Sequence, residues 1–202
     1  VQRFSDDTGL GGGVYSLGDA EARYDNVTLA GNVASVRGGG LYVDADAPVH
    51  VASATVAHNT APIASGIGGE IGSYNVPITP SAGVVLRNTL VAANNLGDNC
   101  SFALGSDGGN LDDGDSCYFR GERDRVNARA PGVDAIADNG GPTRTMALQA
   151  DSLAIEGGSH RVPPWTSAAS SVPRTGPVTS VRTSTRVRSS RTPSRRTRCS
   201  TR

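Results

Sequence analysis

Lysine is absent from this chain of 202 residues, so every permanently cationic side chain is an arginine. Long hydrophobic runs are absent as well, and no apolar stretch reaches the roughly 20 residues that a membrane-spanning helix needs. The sequence also contains no phosphate-binding loop, no dinucleotide fingerprint and no His-Glu-x-x-His string. The given residues therefore contain no candidate membrane-spanning helix and no sequence signature of a nucleotide-binding or zinc-dependent enzyme.

A secretory signal is not visible either, because no basic start is followed by an apolar core. Val1 opens within repeat-like sequence, which predicts that the chain is a fragment or is mis-started. Under that interpretation, the missing signal does not bear on the compartment.

The net charge of zero conceals two oppositely charged parts. Residues 1–158 hold all 19 acidic residues and nine arginines, a net charge of −10. Residues 159–202 hold ten arginines and no acidic residue, a net charge of +10. The two parts therefore need separate interpretations. We divide the chain into β-repeats at 1–97, a loop and closing cap at 98–158, and a disordered basic tail at 159–202.

An internal repeat of 27 residues is the strongest positive signal. Gly-Gly-Gly-Val-Tyr at residues 11–15 returns as Gly-Gly-Gly-Leu-Tyr at 38–42, and the string at 26–32 is echoed at 53–59. Each unit is predicted to run from a glycine-rich turn through a short strand, a polar turn and a second strand to an asparagine. The repeated positions are Gly11, Gly12, Gly13, Tyr15, Asn32, Gly38, Gly39, Gly40, Tyr42, Asn59 and Asn94. Two strings with one period indicate a structural repeat.

The third unit is degenerate. Gly-Gly-Glu-Ile at residues 68–71 is predicted to replace the glycine-rich string, and an insertion around 73–81 lengthens the step from Asn59 to Asn94 to 35 residues. Extra length in one repeat is typical of a loop that protrudes from one face.

The strand-sized, β-branched apolar segments favour an all-β chain, and the fixed period favours a parallel β-solenoid of about three rungs. Glycine runs suit tight corners. The asparagine of each unit has two interpretations: a ladder of stacked side-chain amides, or a turn residue that tolerates left-handed backbone. Both interpretations are structural.

These repeats, the string at 86–94 and the closing segments at 138–148 and 152–157 resemble bacterial right-handed parallel β-helix surface proteins. That group includes polymorphic outer-membrane-protein-like and choice-of-anchor proteins with a pectin-lyase-like fold. The resemblance covers about residues 9–158. It implies a secreted or cell-surface structural or adhesive module, extracellular or at the outer membrane, whose partners are surface glycans or host and neighbour surface proteins.

Cys100 and Cys117 lie 17 residues apart in a polar segment. A disulfide is favoured over two free thiols, because the segment is too polar to bury thiols well and proteins of the resembled kind are usually extracellular. Beyond it, Met146, Leu148, Leu153 and Ile155 are expected to dock as final strands of the cap. Cys199 is given no role.

The basic tail permits binding to nucleic acid or to an anionic surface. We favour a different interpretation, in which the chain leaves its native reading frame between Gly158 and Pro163 and the tail is an out-of-frame translation. No nucleic-acid partner is therefore expected.

Catalytic candidates are weak. Asp44 and Asp46 would lie on one face of a strand and support the alternative function, a carbohydrate-active lyase or hydrolase, but solvated turn aspartates before Pro48 are the simpler interpretation. His50 and His58 are expected on the surface. No metal or cofactor is expected. Calcium remains open only for the loop that contains Asp107, Asp112, Asp113 and Asp115.

Overall fold

A computed structural model describes residues 9–69, 83–129, 131–155 and 157–158. These residues form β-strands and no helix, so the all-β prediction is confirmed. The first repeat unit contributes β1 (Val14–Gly18), β2 (Ala22–Asp25) and β3 (Thr28–Ala30). The second contributes β4 (Leu41–Ala45), β5 (Val49–Ala52), β6 (Thr55–Ala57) and β7 (Thr60–Ala61). The third contributes β8 (Ile67–Gly69), β9 (Val84–Arg87), β10 (Leu90–Ala92) and β11 (Asn95–Leu96).

Strands from successive units pair in parallel, and the sequence period is the pairing register. Val14 lies opposite Leu41, Ala22 opposite Val49 and Thr28 opposite Thr55, a shift of 27 residues in each pair. Three separate parallel sheets result, in the orders β1-β4-β8, β2-β5-β9 and β3-β6-β10. A short fourth pair joins β7 to β11.

The third unit keeps nearly the same shift in one sheet and a longer one in the others. Leu41 pairs with Ile67, a shift of 26, whereas Val49 pairs with Val84, a shift of 35. The nine additional residues therefore lie between β8 and β9. The insertion predicted around 73–81 falls in that interval, but it lies outside the described residues.

The prediction that residues 68–71 replace the glycine-rich string of the third unit is wrong, because the equivalent string begins four residues earlier, at residue 64. Because Leu41 pairs with Ile67 and Tyr42 with Gly68, the triplet of the second unit lies beside Ala64, Ser65 and Gly66. Ser65 is accommodated because its Oγ lies 3.0 Å from the carbonyl oxygen of Ala61 and accepts a hydrogen bond from the Gly97 N–H at 2.9 Å. The two glycines at the start of 68–71 resemble the repeated string in sequence, but the strand register assigns the equivalent positions to residues 64–66.

The polar turn predicted inside each unit contains a strand. β2 and β5 occupy it, because apolar Ala22 and Tyr24 contact the core while Arg23 and Asp25 alternate with them on the other face. Four residues with two charges were too weak a pattern to predict a strand.

Parallel pairing also continues beyond residue 97. β12 (Gly105–Ser106) pairs with β9, and β13 (Leu111–Asp112) pairs with β10. Cys100 forms an isolated parallel bridge with Ile67. These pairs add a partial fourth layer of strands to the three repeat units.

The core lies between the three sheets and is made of small and branched side chains. Its fully buried members include Val49, Val56, Ile67, Leu86 and Val91, and Phe102 and Phe119 join it beyond the third unit. Small side chains let the three sheets pack closely around the core. Within each sheet, the strand of one unit covers the strand of the next.

An antiparallel hairpin follows, made of β14 (Val133–Ala137) and β15 (Thr145–Leu148). Val133, Leu148 and Ala154 pack against a second cluster around Leu90 and Leu111. The prediction that Leu153 and Ile155 dock as strands is wrong. Both are 41% exposed in a turn, where Ala154 between them makes the apolar contact.

Candidate functional site

The repeated glycines are required by the way the chain turns into the first strand of each unit. Gly11 and Gly38 have φ values of 66° and 69°, in the left-handed region. A Cβ on Gly38 would lie 2.8 Å from the Cβ of Tyr42. The turn and the tyrosine four residues later therefore form one packing unit, which explains the recurring Gly-Gly-Gly-x-Tyr string.

The third glycine of each triplet lies against an asparagine of the same unit. A Cβ on Gly13 would be 2.7 Å from Nδ2 of Asn32, and a Cβ on Gly40 would be 3.0 Å from Nδ2 of Asn59. Gly66 has the same relation to Asn94, at 3.1 Å. The two repeated features are thus parts of one arrangement.

The asparagines form a ladder of side-chain hydrogen bonds. Nδ2 of Asn32 donates to Oδ1 of Asn59 at 2.8 Å, and Nδ2 of Asn59 donates to Oδ1 of Asn94 at 3.1 Å. Of the two interpretations of these residues, the ladder is the one that the structure contains. The left-handed backbone falls one residue earlier in each unit, at Gly31, His58 and Ala93.

The ladder continues into residues that the sequence did not reveal. Nδ2 of Asn94 donates to Oδ1 of Asn99 at 2.8 Å, and Nδ2 of Asn99 donates to Oδ1 of Asp112 at 2.6 Å. Every side-chain amide in the series points its donor the same way, toward the Asp112 carboxylate. Asn99 follows Asn94 by only five residues, so no period could have identified it.

Asp112 closes the ladder as a fully buried carboxylate. Its oxygens also accept the N–H groups of Gly114 at 2.9 Å and Cys117 at 3.0 Å. Burial raises the pKa of Asp112 above the usual value of 3.8, and this effect outweighs the hydrogen bonds, which favour the ionised form.

This pKa shift predicts a specific pH dependence of stability. Because the folded-state pKa of Asp112 lies above the unfolded one, its contribution is fully present at acid pH and declines as the pH rises through the folded pKa. The free energy of unfolding of the wild type, relative to that of Asp112→Asn, should therefore fall from about pH 4 upward. Urea denaturation at a series of pH values measures it. The exposed Asp115→Asn is the control, and a wild type that gains stability relative to Asp112→Asn as the pH rises would contradict the assignment.

The acidic loop uses its carboxylates as hydrogen-bond acceptors. Asp113 accepts the side-chain amide of Asn99 at 2.6 Å and the N–H of Ala93 at 2.7 Å. Among the described residues, no cluster of three or more histidine, cysteine, aspartate or glutamate side chains is arranged to hold a metal ion. The calcium interpretation therefore gains no support from this loop.

The disulfide between Cys100 and Cys117 is formed, with the Cα atoms 4.9 Å apart and both residues buried in the core. The Cys117 N–H also binds the Asp112 carboxylate, so the disulfide and the end of the ladder adjoin.

Removing this disulfide should lower the free energy of unfolding by about 3 kcal/mol, because it closes a loop of 17 residues. Urea denaturation of a Cys100→Ala, Cys117→Ala double variant measures the change. Both proteins should carry Cys199→Ala, so that no third thiol exchanges with the pair. Equal stability of the two would show that the cross-link does not constrain the unfolded chain.

The candidate catalytic aspartates do not share one strand face. Asp44 lies on β4, half-buried, and accepts a hydrogen bond from the Tyr15 hydroxyl at 2.9 Å. Asp46 lies one residue beyond β4 and is exposed, and its N–H donates to the carbonyl of Gly18 at 3.2 Å. The strand ends at Ala45, so the spacing of two no longer fixes a common direction.

An aromatic pair accompanies Asp44. The rings of Tyr15 and Tyr42 lie 5.1 Å apart on the face of β1 and β4 that points away from the core. Leu17, opposite Asp44, is exposed on the same sheet. Tyr42 is only 1% exposed, so the accessible part of this face is Tyr15, Leu17 and Asp44, which we call the tyrosine patch. The Tyr15 ring, Leu17 and a carboxylate together offer an apolar face and hydrogen-bond acceptors.

The two histidines occupy different environments. Nε2 of His50 lies 3.4 Å from a carboxylate oxygen of Glu21, which also pairs with Arg23. Nε2 of His58 is buried and has no hydrogen-bond partner. Both residues are half-buried, so the surface expectation holds in part, and only the Nε2 atom of His58 is withdrawn from solvent.

Comparison of the chain with protein families, with curated proteins and with solved structures found no match. Within the described part of the chain, no helix has the length and apolarity to cross a membrane.

Proposed function

We propose that this chain is a short right-handed parallel β-helix, a solenoid of the bacterial surface-protein kind, and that it acts as a structural or adhesive module. The observation that carries the proposal is the register of 27 residues together with the asparagine ladder. The repeated residues are used to join one unit to the next, which leaves the outward-facing side chains as the variable surface.

An oxidising location, secreted or on the cell surface, is part of the proposal. The Cys100–Cys117 disulfide supports it, because such bonds persist mainly outside the reducing cytosol. The partners are glycans or proteins of a neighbouring surface. The tyrosine patch is a contact region with suitable chemistry on the described surface.

A carbohydrate-active enzyme is the second candidate, and the Tyr15–Asp44 hydrogen bond favours it. The hydroxyl of Tyr15 holds the Asp44 carboxylate in a fixed position on an outer sheet face. Paired carboxylates at suitable distances would be needed for glycoside hydrolysis, and Asp46 beyond the strand end is a poor second member.

We expect the chain to release no product from a panel of pectins and neutral polysaccharides, and to bind one or more immobilised surface glycans. Reducing-end and unsaturated-uronide assays measure turnover, and a glycan array measures binding. The matched variants are Tyr15→Phe and an Asp44→Asn, Asp46→Asn double variant. Turnover by the wild type that disappears in the double variant would favour the enzyme. Absence of both turnover and binding would contradict an adhesive role.

A further inference from the structure

The corner between β2 and β3 carries an asparagine in the sequence pattern that N-linked glycosylation requires. Asn26, Val27 and Thr28 form an Asn-x-Thr string. Val27 packs against the core, whereas Asn26 is exposed. Thr28 is half-buried, and it points outward because it alternates along β3 with the core-facing Leu29. The two polar side chains of the string are therefore presented together at the surface.

The side chain of Asn26 is not used by the fold. Its backbone N–H donates to the carbonyl of Ala52 at 3.0 Å, and its φ of 54° turns the chain at the corner. Its side-chain amide makes no hydrogen bond with any residue that the structure describes. Asn32 and Asn59 differ, because their amides belong to the ladder. A group attached to Nδ2 of Asn26 would therefore displace no hydrogen bond of the described fold.

The same corner stays exposed in a unit that has neighbours on both sides. Ser53 follows β5 as Asn26 follows β2, 27 residues later, and its φ of 50° is nearly the same. The second unit lies between the first and third units in each of the three sheets, yet Ser53 is exposed. The side chain at this corner points away from the stack. The exposure of Asn26 therefore does not depend on whether another unit lies beside the first.

A second string of the same pattern occupies an opposite environment. Asn99, Cys100 and Ser101 also read Asn-x-Ser. Asn99 is 7% exposed, and its Nδ2 donates to the carboxylates of Asp112 and Asp113 at 2.6 Å. The middle residue of the string is held by the disulfide. The folded structure thus distinguishes two strings that the sequence pattern treats alike.

We propose that Asn26 is a site of N-linked glycosylation. The sugar donor is a glycosyl pyrophosphate, linked to a nucleotide or to a lipid. The bond between C1 of the sugar and the phosphate oxygen breaks, and C1 forms a bond to Nδ2 of Asn26. The amide nitrogen loses one proton, and the pyrophosphate leaves with the electron pair. A glycosyltransferase that recognises Asn-x-Thr catalyses the transfer. The product is a glycan on the surface of the first unit, outside both the core and the ladder.

The site is tested on the folded, oxidised chain of 202 residues. A glycosyltransferase that moves one hexose from a nucleotide diphosphate to Asn-x-Ser/Thr strings is added, and peptides are mapped by mass spectrometry. Hexose should be found on Asn26 and not on Asn99. After reduction and denaturation both should be modified, which shows that the enzyme accepts both strings. Hexose on Asn99 of the folded chain to the same extent as on Asn26 would contradict the structural distinction.

Secretion of the chain from a cell that transfers lipid-linked oligosaccharide forms the second arm. An oligosaccharide on Asn26 would identify the lipid-linked donor, and a single hexose in the first arm identifies the nucleotide-linked one. Absence of sugar from Asn26 in both arms overturns the proposal. The adhesive role is tested separately by the glycan array, so the two proposals can fail independently.

Three variants test the string and the corner, and circular dichroism checks that each folds. Thr28→Val should abolish the modification although Asn26 is retained, and Thr28→Ser should preserve it. Ser53→Asn creates the same string at the equivalent corner, because Thr55 already lies two residues later. This variant should gain a second modified site. Sugar that persists in Thr28→Val, or a folded Ser53→Asn that gains none, contradicts the proposal.

Discussion

Replacing Asn59 with alanine will lower the free energy of unfolding by about 4 kcal/mol, because four hydrogen bonds of a fully buried side chain are lost together. Its Oδ1 accepts the N–H and Nδ2 of Asn32, and its Nδ2 donates to the carbonyl of Leu29 and to Asn94. Each buried group left unpaired costs about 1–3 kcal/mol. Urea denaturation followed by circular dichroism measures the change.

Asn95→Ala is the matched control for this prediction. Asn95 is an exposed asparagine on β11, in the same unit as Asn94, and its replacement should change the free energy of unfolding by less than about 0.5 kcal/mol. Asn59→Asp distinguishes the contribution of the acceptor oxygen from that of the donor nitrogen. It keeps the acceptor but places a carboxylate oxygen against the Leu29 carbonyl, where the wild type has an N–H donor. We expect it to be at least as destabilising as alanine at neutral pH. A loss at Asn59 no larger than at Asn95 would show that the ladder adds little.

The part of the fold that follows the period could be predicted from the sequence. Equal spacing places Asn32 beside Asn59 in any stack of such units. The sequence therefore predicted either an amide ladder or a repeated turn residue at these positions. The period gives no information where it breaks. Asn99 enters the ladder five residues after Asn94, and Asp112 ends it from a loop, so neither could be identified by spacing.

The candidate site shows the same limit. Tyr15 and Asp44 are 29 residues apart, which is one repeat plus two residues, so their contact depends on both the register and the strand face. The spacing of Asp44 and Asp46 suggested a shared face, but β4 ends between them. A strand ends where the chain turns at the next corner of the repeat unit. The alternation of apolar and polar residues within the strand does not show where that corner lies.

Replacing Gly40 with alanine should lower the free energy of unfolding by about 3–4 kcal/mol. The added Cβ would lie 2.8 Å from the Gly66 carbonyl oxygen, 2.8 Å from Cγ1 of Val56 and 3.0 Å from Nδ2 of Asn59. Overpacking costs about 1–3 kcal/mol, and shifting Asn59 weakens a ladder hydrogen bond worth about 1 kcal/mol. The measurement is urea denaturation, as for Asn59.

Gly114→Ala is the control, since the nearest atom to its Cβ would be 3.5 Å away, an ordinary contact. Combining Gly40→Ala with Asn59→Ala tests whether the two repeated features act together. If the glycine is required because the asparagine lies against it, the double variant should lose about 1 kcal/mol less than the sum of the single losses. Strict additivity would mean that Gly40 is required by the Gly66 carbonyl and the Val56 side chain and not by Asn59. The third glycine would then be explained by the close approach of the neighbouring strand and of Val56, and the ladder would stabilise the fold independently of it.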